Sequence, residues 1–152
     1  MSAWPSAATS SATASYAASH AGHAAEGHFR GIGGLTASSI GLGSYLGECT
    51  DADDLRYREA AATCLGHGVN LFDTAINYRC QRSERVLGRA LRGAAEAGIV
   101  TRDQVVLCSK GGFIPVDEPA VAPRAYIDYV RRTFVEPGIC RAEEIAGGQH
   151  CI

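Results

Sequence analysis

Three residues of this 152-residue chain combine types and placement that could do chemistry: Asp73, Tyr78 and Lys110. Asp73 ends the apolar stretch GVNLFD, Tyr78 follows it by five residues, and Lys110 comes just after a second apolar stretch, QVVLC. Lys110 is also the only lysine among fourteen Lys and Arg residues, which raises the question of what an ammonium does there that a guanidinium cannot. An unperturbed phenol titrates near pH ~10. A neighbouring ammonium stabilises the phenolate and makes the phenol more acidic, and a carboxylate beside the ammonium keeps it charged and in place. A phenol tuned in this way can protonate an oxygen on which negative charge develops, as when hydride reaches a carbonyl carbon. Taken singly, each residue has a blander reading: the Asp as a turn or cap residue, the Tyr as packing, the Lys as partner to a surface acid.

The elements around them must bring the three together. FRGIGGL reads as a short Gly-rich hairpin over Phe29 to Leu35, followed by a strand centred on Ile40 and Leu42. A helix follows, with Thr50 as N-cap, Asp53 as its capping-box partner and Gly66-His67-Gly68 as its stop. The strand ending at Asp73 comes next. A second helix then starts near Ser83, with Val86, Leu87, Ala90, Leu91 and Ala94 at helical spacing and Gly98 as its stop. Strands that are apolar on both faces and alternate with helices predict βαβ units in a parallel sheet. In that arrangement the C-terminal strand ends open on one side, where Asp73, Tyr78 and Lys110 would converge.

After Gly112 the pattern weakens into a Pro-interrupted loop, FIPVDEPAVAPRA, one short amphipathic helix, YIDYVRRTFV, and a tail without a closing element. The expectation is an incomplete chain. Residues 1–27 are mostly Ala, Ser, Thr, Gly and His, a composition that predicts a disordered low-complexity extension. His20, His23 and His28 in or beside it read as solvated rather than metal-binding, and no metal site is expected. A net charge of -2 and a pI near 6.2 offer no basic stripe for nucleic acid. No apolar run approaches the roughly 18 residues of a membrane span. The six cysteines form no CxxC pair, so free thiols in a reducing cytoplasm are expected.

The segments GLGSYLG (41–47), GVNLFDTAINY (68–78), SERVLGRAL (83–91) and VVLCSKGG (105–112) together resemble the aldo-keto reductase family, in order and at workable separations. The resemblance runs over about residues 28–112. It implies an α/β fold, part of a (β/α)8 TIM barrel with an N-terminal β-hairpin, truncated after about three βα units, with residues 28–152 as its amino-terminal part. It implies NADPH as cofactor and reduction of a small-molecule carbonyl substrate, with Tyr78 as proton donor, Lys110 as the cation that tunes it and Asp73 as the carboxylate paired with Lys110 and close to the nicotinamide ribose. Gly43, Ser44 and Tyr45 match the family segment that borders the nicotinamide.

Two departures accompany the resemblance. Gln81 stands where the family usually has Gly, and the family's catalytic His follows a fourth apolar strand with no counterpart here. His150 is no substitute. A set of three strands leaves sheet edges open, so the chain is expected to have little activity alone and to associate with itself or with the missing barrel half. Two further readings remain open from the residues: a Schiff-base lyase using Lys110, and a non-catalytic nucleotide-binding or regulatory paralogue.

Overall fold

Two short sheets carry the architecture of the computed structural model, which describes residues 7–145. The elements run in the order α1 (Ser10–His20), β1 (Phe29–Ile32), β2 (Leu35–Ser38), β3 (Leu42–Gly43), α2 (Asp51–Gly66), β4 (Leu71–Asp73), α3 (Arg82–Glu96), β5 (Val106–Cys108) and α4 (Pro123–Val130). β1 and β2 form an antiparallel hairpin with Ile32 opposite Leu35. Its two-residue turn, Gly33-Gly34, has φ of 55° and 82°, and paired positive φ values match the twist of a tight hairpin.

β3, β4 and β5 form a parallel sheet in that order, with Gly43 opposite Asp73 and Asp73 opposite Cys108. The first strand is shorter than expected. Ile40 lies outside the ladder and is 61% exposed. Gly41 explains the offset: a Cβ there would meet the Leu71 carbonyl oxygen at 2.9 Å, so the chain enters β3 by pressing bare backbone against β4. Phe72, Leu65, Leu87, Leu91 and Val105 form the core between this sheet and the packed pair α2 and α3. The polar residue in β4's approach, Asn70, is buried yet satisfied. Its Oδ1 accepts from the Ser38 amide at 2.9 Å, and its Nδ2 donates to the carbonyls of Thr36 and Gln104 at 3.1 and 3.0 Å. One amide side chain thereby ties the hairpin to the parallel sheet, which offsets the cost of burying it.

The expected disordered extension is corrected over Ser10–His20. That segment is an α-helix, with Thr9 capping it through an Oγ1 that accepts from the Ala12 amide. Composition averages hide the reason. Thr13 and Tyr16, three residues apart, share one helical face, and both are buried. The Thr13 hydroxyl accepts from the Thr36 amide at 3.1 Å. Tyr16 is 1% exposed within the core and donates to the Leu65 carbonyl at 2.7 Å, and burial pushes its phenol up to about 12. No boundary at residue 27 separates this helix from the rest. Tyr16→Phe is expected to cost about 1 kcal/mol of unfolding free energy, because it strands the Leu65 carbonyl. An unchanged denaturation midpoint would show that the hydroxyl contributes nothing.

The capping box of α2 forms by half. Thr50 accepts from the Asp53 amide at 3.2 Å, but the Asp53 carboxylate turns away to accept from the Glu48 amide at 2.6 Å. After β5 the chain passes through the Pro-rich loop into α4, which continues as a π-helical turn over Arg131–Val135. The parallel sheet is three-stranded and open among the described residues. No helix among them is long and apolar enough to cross a membrane. Trp4 and His150 lie outside the described residues.

Candidate active site

The parallel register delivers Asp73 and Lys110 to the same rim. Asp73 is the last residue of β4, and Lys110 follows β5 by two. The ladder continues beyond the strands, with the Thr74 amide donating to the Cys108 carbonyl at 2.9 Å and the Ile76 amide to the Lys110 carbonyl at 3.1 Å. This zipper sets Lys110 level with the β4 loop. Its Nζ donates to Asp73 Oδ1 at 2.6 Å and to the Thr74 carbonyl at 2.8 Å. The same ammonium lies over the Tyr78 ring, 4.9 Å from its centroid. Asp73 and Lys110 are each about half exposed at the side chain.

The electrostatics follow from these contacts. The hydrogen bond to Asp73 is the largest cause holding the Lys110 ammonium above the usual lysine range, and the neighbouring Tyr78 acts in the same direction. Lys110 is therefore charged throughout the neutral range.

The first strand's loop supplies the other wall. The Tyr45 ring, 47% exposed, meets Tyr78 edge-on at 5.1 Å and 71°. Ser44 is buried: its amide and hydroxyl both donate to the Asp73 carbonyl, at 3.0 and 3.1 Å. Its side chain is thus spent on the fold and sets the position of Tyr45. Nothing lies within 4 Å of where a Cβ on Gly43 would stand, so that side of the rim is open. Asp73, Tyr78, Lys110 and Tyr45 come together, Gly43 borders them, and Ser44 lies beneath.

Several contributors had no sequence signal. Arg79, next to Tyr78, has a side chain only 1% exposed. Its Nε donates to the Glu48 carbonyl at 2.9 Å, and its Nη2 donates to Asp54 Oδ1 at 2.7 Å and the Thr50 carbonyl at 3.3 Å. Its guanidinium lies over the Tyr57 ring, 5.0 Å from the centroid. The loop after β3 is thereby pinned to the start of α2. Asp54 also accepts from Arg82 Nη2 at 2.8 Å. Burial pushes the Asp54 carboxyl up, but the bonds from Arg82 and Arg79 outweigh it, so the group sits below its ordinary range. A carboxyl depressed in the folded state stabilises above its unfolded pKa of about 3.9 and loses that contribution as pH falls through the folded value. The melting temperature is expected to hold from pH 7 to 5 and to drop below about pH 4, with Asp54→Asn flattening part of the drop. A flat profile down to pH ~2.5 would remove Asp54 from acid stability.

Arg79, Cys80 and Gln81 have φ of 48°, 53° and 67°. The loop therefore keeps at Gln81 the left-handed backbone for which glycine is the usual residue. Such a conformation costs a non-glycine residue about 1–2 kcal/mol, partly offset by the extra chain entropy a glycine brings to the unfolded state. Gln81→Gly is expected to stabilise by about 0.5–1 kcal/mol despite losing the exposed bond from Gln81 Nε2 to Asp117. Loss of stability in a urea titration would contradict that strain.

The expectation of uniformly free thiols is also corrected. Cys49, Cys64, Cys108 and Cys140 are free, whereas Cys80 is disulfide-bonded. Pairing depends on proximity in space, which sequence spacing does not reveal. No group of three or more His, Cys, Asp or Glu residues that could hold a metal occurs among the described residues. His20 stacks on Tyr16, and His28 and His67 bond the carbonyls of Gly68 and Thr63, away from the site.

The model of the aldo/keto reductase family matches residues 39–135 and takes in every member of this rim. The chain belongs to the aldo/keto reductase family. It is 32% identical over 91 residues to a probable voltage-gated potassium channel subunit beta of Arabidopsis thaliana, a match covering 58% of this chain and 26% of that protein. It is 30% identical to an aldo/keto reductase of Klebsiella pneumoniae solved with NADP and acetate, covering 64% of this chain and 32% of that one at a TM-score of 0.43. The chain thus spans about a quarter to a third of the length of these aldo/keto reductase relatives.

Proposed function

We propose that the chain carries the Asp-Tyr-Lys part of a carbonyl-reducing site of the aldo/keto reductase type, with NADPH as cofactor. One observation carries this reading: the sole lysine bonds Asp73 at 2.6 Å and faces the Tyr78 ring at 4.9 Å. The residues present fit a nicotinamide. The open side at Gly43 and the exposed Tyr45 ring leave room for a flat heterocycle beside Tyr78, and Asp73 would lie near its ribose. NADPH supplies the hydride when bound. Tyr78 donates its proton to the oxygen of the reduced aldehyde or ketone, Lys110 stabilises the phenolate left behind, and Asp73 holds Lys110 charged.

A Schiff-base lyase is not adopted. It needs a neutral lysine, and the Asp73 bond holds Lys110 in the charged form.

The second reading is a nucleotide-binding or regulatory member of the family without turnover. Its support is the 32% identity over 91 residues to a protein described as a probable voltage-gated potassium channel subunit beta. In both readings the rest of the (β/α)8 barrel, or another copy of the chain, pairs the open edges of β3 and β5. A cytoplasmic location goes with the four free thiols among the described residues, against which the Cys80 disulfide weighs.

Isothermal calorimetry with NADPH, run beside an assay of NADPH oxidation with small aldehydes, tests the proposal. Binding with turnover supports the reductase, and binding without turnover supports the second reading. No heat from NADPH at any workable concentration would sink both.

A further inference from the structure

We infer that Ser83 and Glu84, consecutive residues in the first turn of α3, are positioning residues for the Tyr78 hydroxyl, each holding the residue that precedes one wall of its surroundings; this deepens the reading of that site as carbonyl-reducing and rests on it. The buried Ser83 hydroxyl donates to the Ser44 carbonyl at 2.6 Å. The next residue is Tyr45, whose ring meets Tyr78 edge-on. The Glu84 carboxylate accepts from the Ser109 hydroxyl. The next residue is Lys110, whose ammonium lies over the Tyr78 ring, 4.9 Å from its centroid. Adjacent residues of one helix turn therefore reach opposite sides of the β4 loop, to the ends of the two strands that flank it.

The helix suits this task because it cannot shift easily. Val86, Leu87 and Leu91 are buried in the core directly behind the turn. A carboxylate in the first turn is also favoured by the helix dipole. β5 has no strand beyond it among the described residues, so the β4 zipper sets the level of Lys110 while the Glu84 bond restrains the segment from the helix side. Glu84 works by placement rather than charge. Its carboxylate is engaged by the Ser109 hydroxyl, while the carboxylate bonded to Lys110 is that of Asp73. Hydrogen bonds to an ionised acceptor are the stronger kind, which suits a tether at a half-exposed rim.

The sole lysine makes the test direct. In the full 152-residue chain labelled at the lysine ε-carbon, NMR should show a single lysine ε-methylene signal, because Lys110 is the only lysine. The ring current of Tyr78 displaces its protons from the free-lysine position, and Tyr78→Leu should abolish the displacement. Glu84→Ala and Ser109→Ala should each remove most of it, whereas Glu84→Gln, which keeps an acceptor oxygen, should retain it. Ser83→Ala should likewise remove the nuclear Overhauser contacts between the Tyr45 and Tyr78 rings. Glu84→Ala and Ser109→Ala spectra that superimpose on the parent, or a Glu84→Gln spectrum that matches Glu84→Ala, would overturn the assignment. Should Glu84→Ala fail to fold, Ser109→Ala at its exposed position decides. These resonances do not depend on NADPH binding or turnover, so failure of the calorimetric and turnover tests leaves the placement to be judged on its own.

Discussion

Tyr78→Phe is expected to lower NADPH-dependent carbonyl reduction by about 10²-fold or more in the full-barrel context proposed above, the scale for losing a donor to a developing oxyanion. The substitution is clean because it leaves the ring. The edge contact with Tyr45 at 5.1 Å and the Lys110 ammonium at 4.9 Å both involve the ring itself, so packing survives while the donor is lost. The loss should fall on kcat with little change in KM, since the missing bond strengthens only as charge reaches the substrate oxygen. Measuring both constants for a small aldehyde checks this. Turnover within about threefold of the parent, against the ~10²-fold expected for such a donor, would remove Tyr78 from the mechanism.

Arg79→Met is expected to destabilise the fold by about 3 kcal/mol or more, the range for removing one partner of a buried ion pair. Arg79 bonds Asp54 and the carbonyls of Glu48 and Thr50 from a nearly sealed position. Removing it leaves the two carbonyls without this donor and Asp54 with Arg82 and the more distant Arg89. Arg79→Lys should lie between the two, because an ammonium cannot reproduce the planar fork that serves three acceptors. Urea unfolding should show a lower midpoint with an unchanged slope. A midpoint equivalent to less than about 0.5 kcal/mol of change, ordinary for a surface substitution, would show that the loop after β3 is held by something else. Because Arg79 adjoins Tyr78, its loss should also loosen the site.

Much of this was legible in the residues. The Gly33-Gly34 turn, the N-cap at Thr50 and the stop at Gly98 are local signals, read by backbone chemistry within a few residues. The apolar runs that lead to Asp73 and to Lys110 are local too. Other features depend on contacts far apart in the chain. The helix at Ser10–His20 looked too poor in apolar residues to fold, yet one Tyr meeting the Leu65 carbonyl 49 residues away anchors it. The Asp53 carboxylate had a local partner in prospect but found the Glu48 amide in a nearer geometry. Arg79 gave no hint of burial, because arginines are mostly exposed and only the arrangement of the β3 loop and α2 around it excludes water. The Cys80 disulfide likewise follows from proximity that spacing does not encode.

The sequence by itself determined which groups are available: one lysine, one carboxylate ending a strand, one phenol five residues later, and the alternation that makes the sheet parallel. Tertiary structure decided that they meet. The register that sets Asp73 opposite Cys108 brings Lys110 across a separation of 37 residues to within 2.6 Å of the carboxylate. Local propensity acts over a turn or two of chain, whereas an ion pair at that distance needs two strands aligned to the residue, and only packing of the whole sheet against its helices provides that alignment.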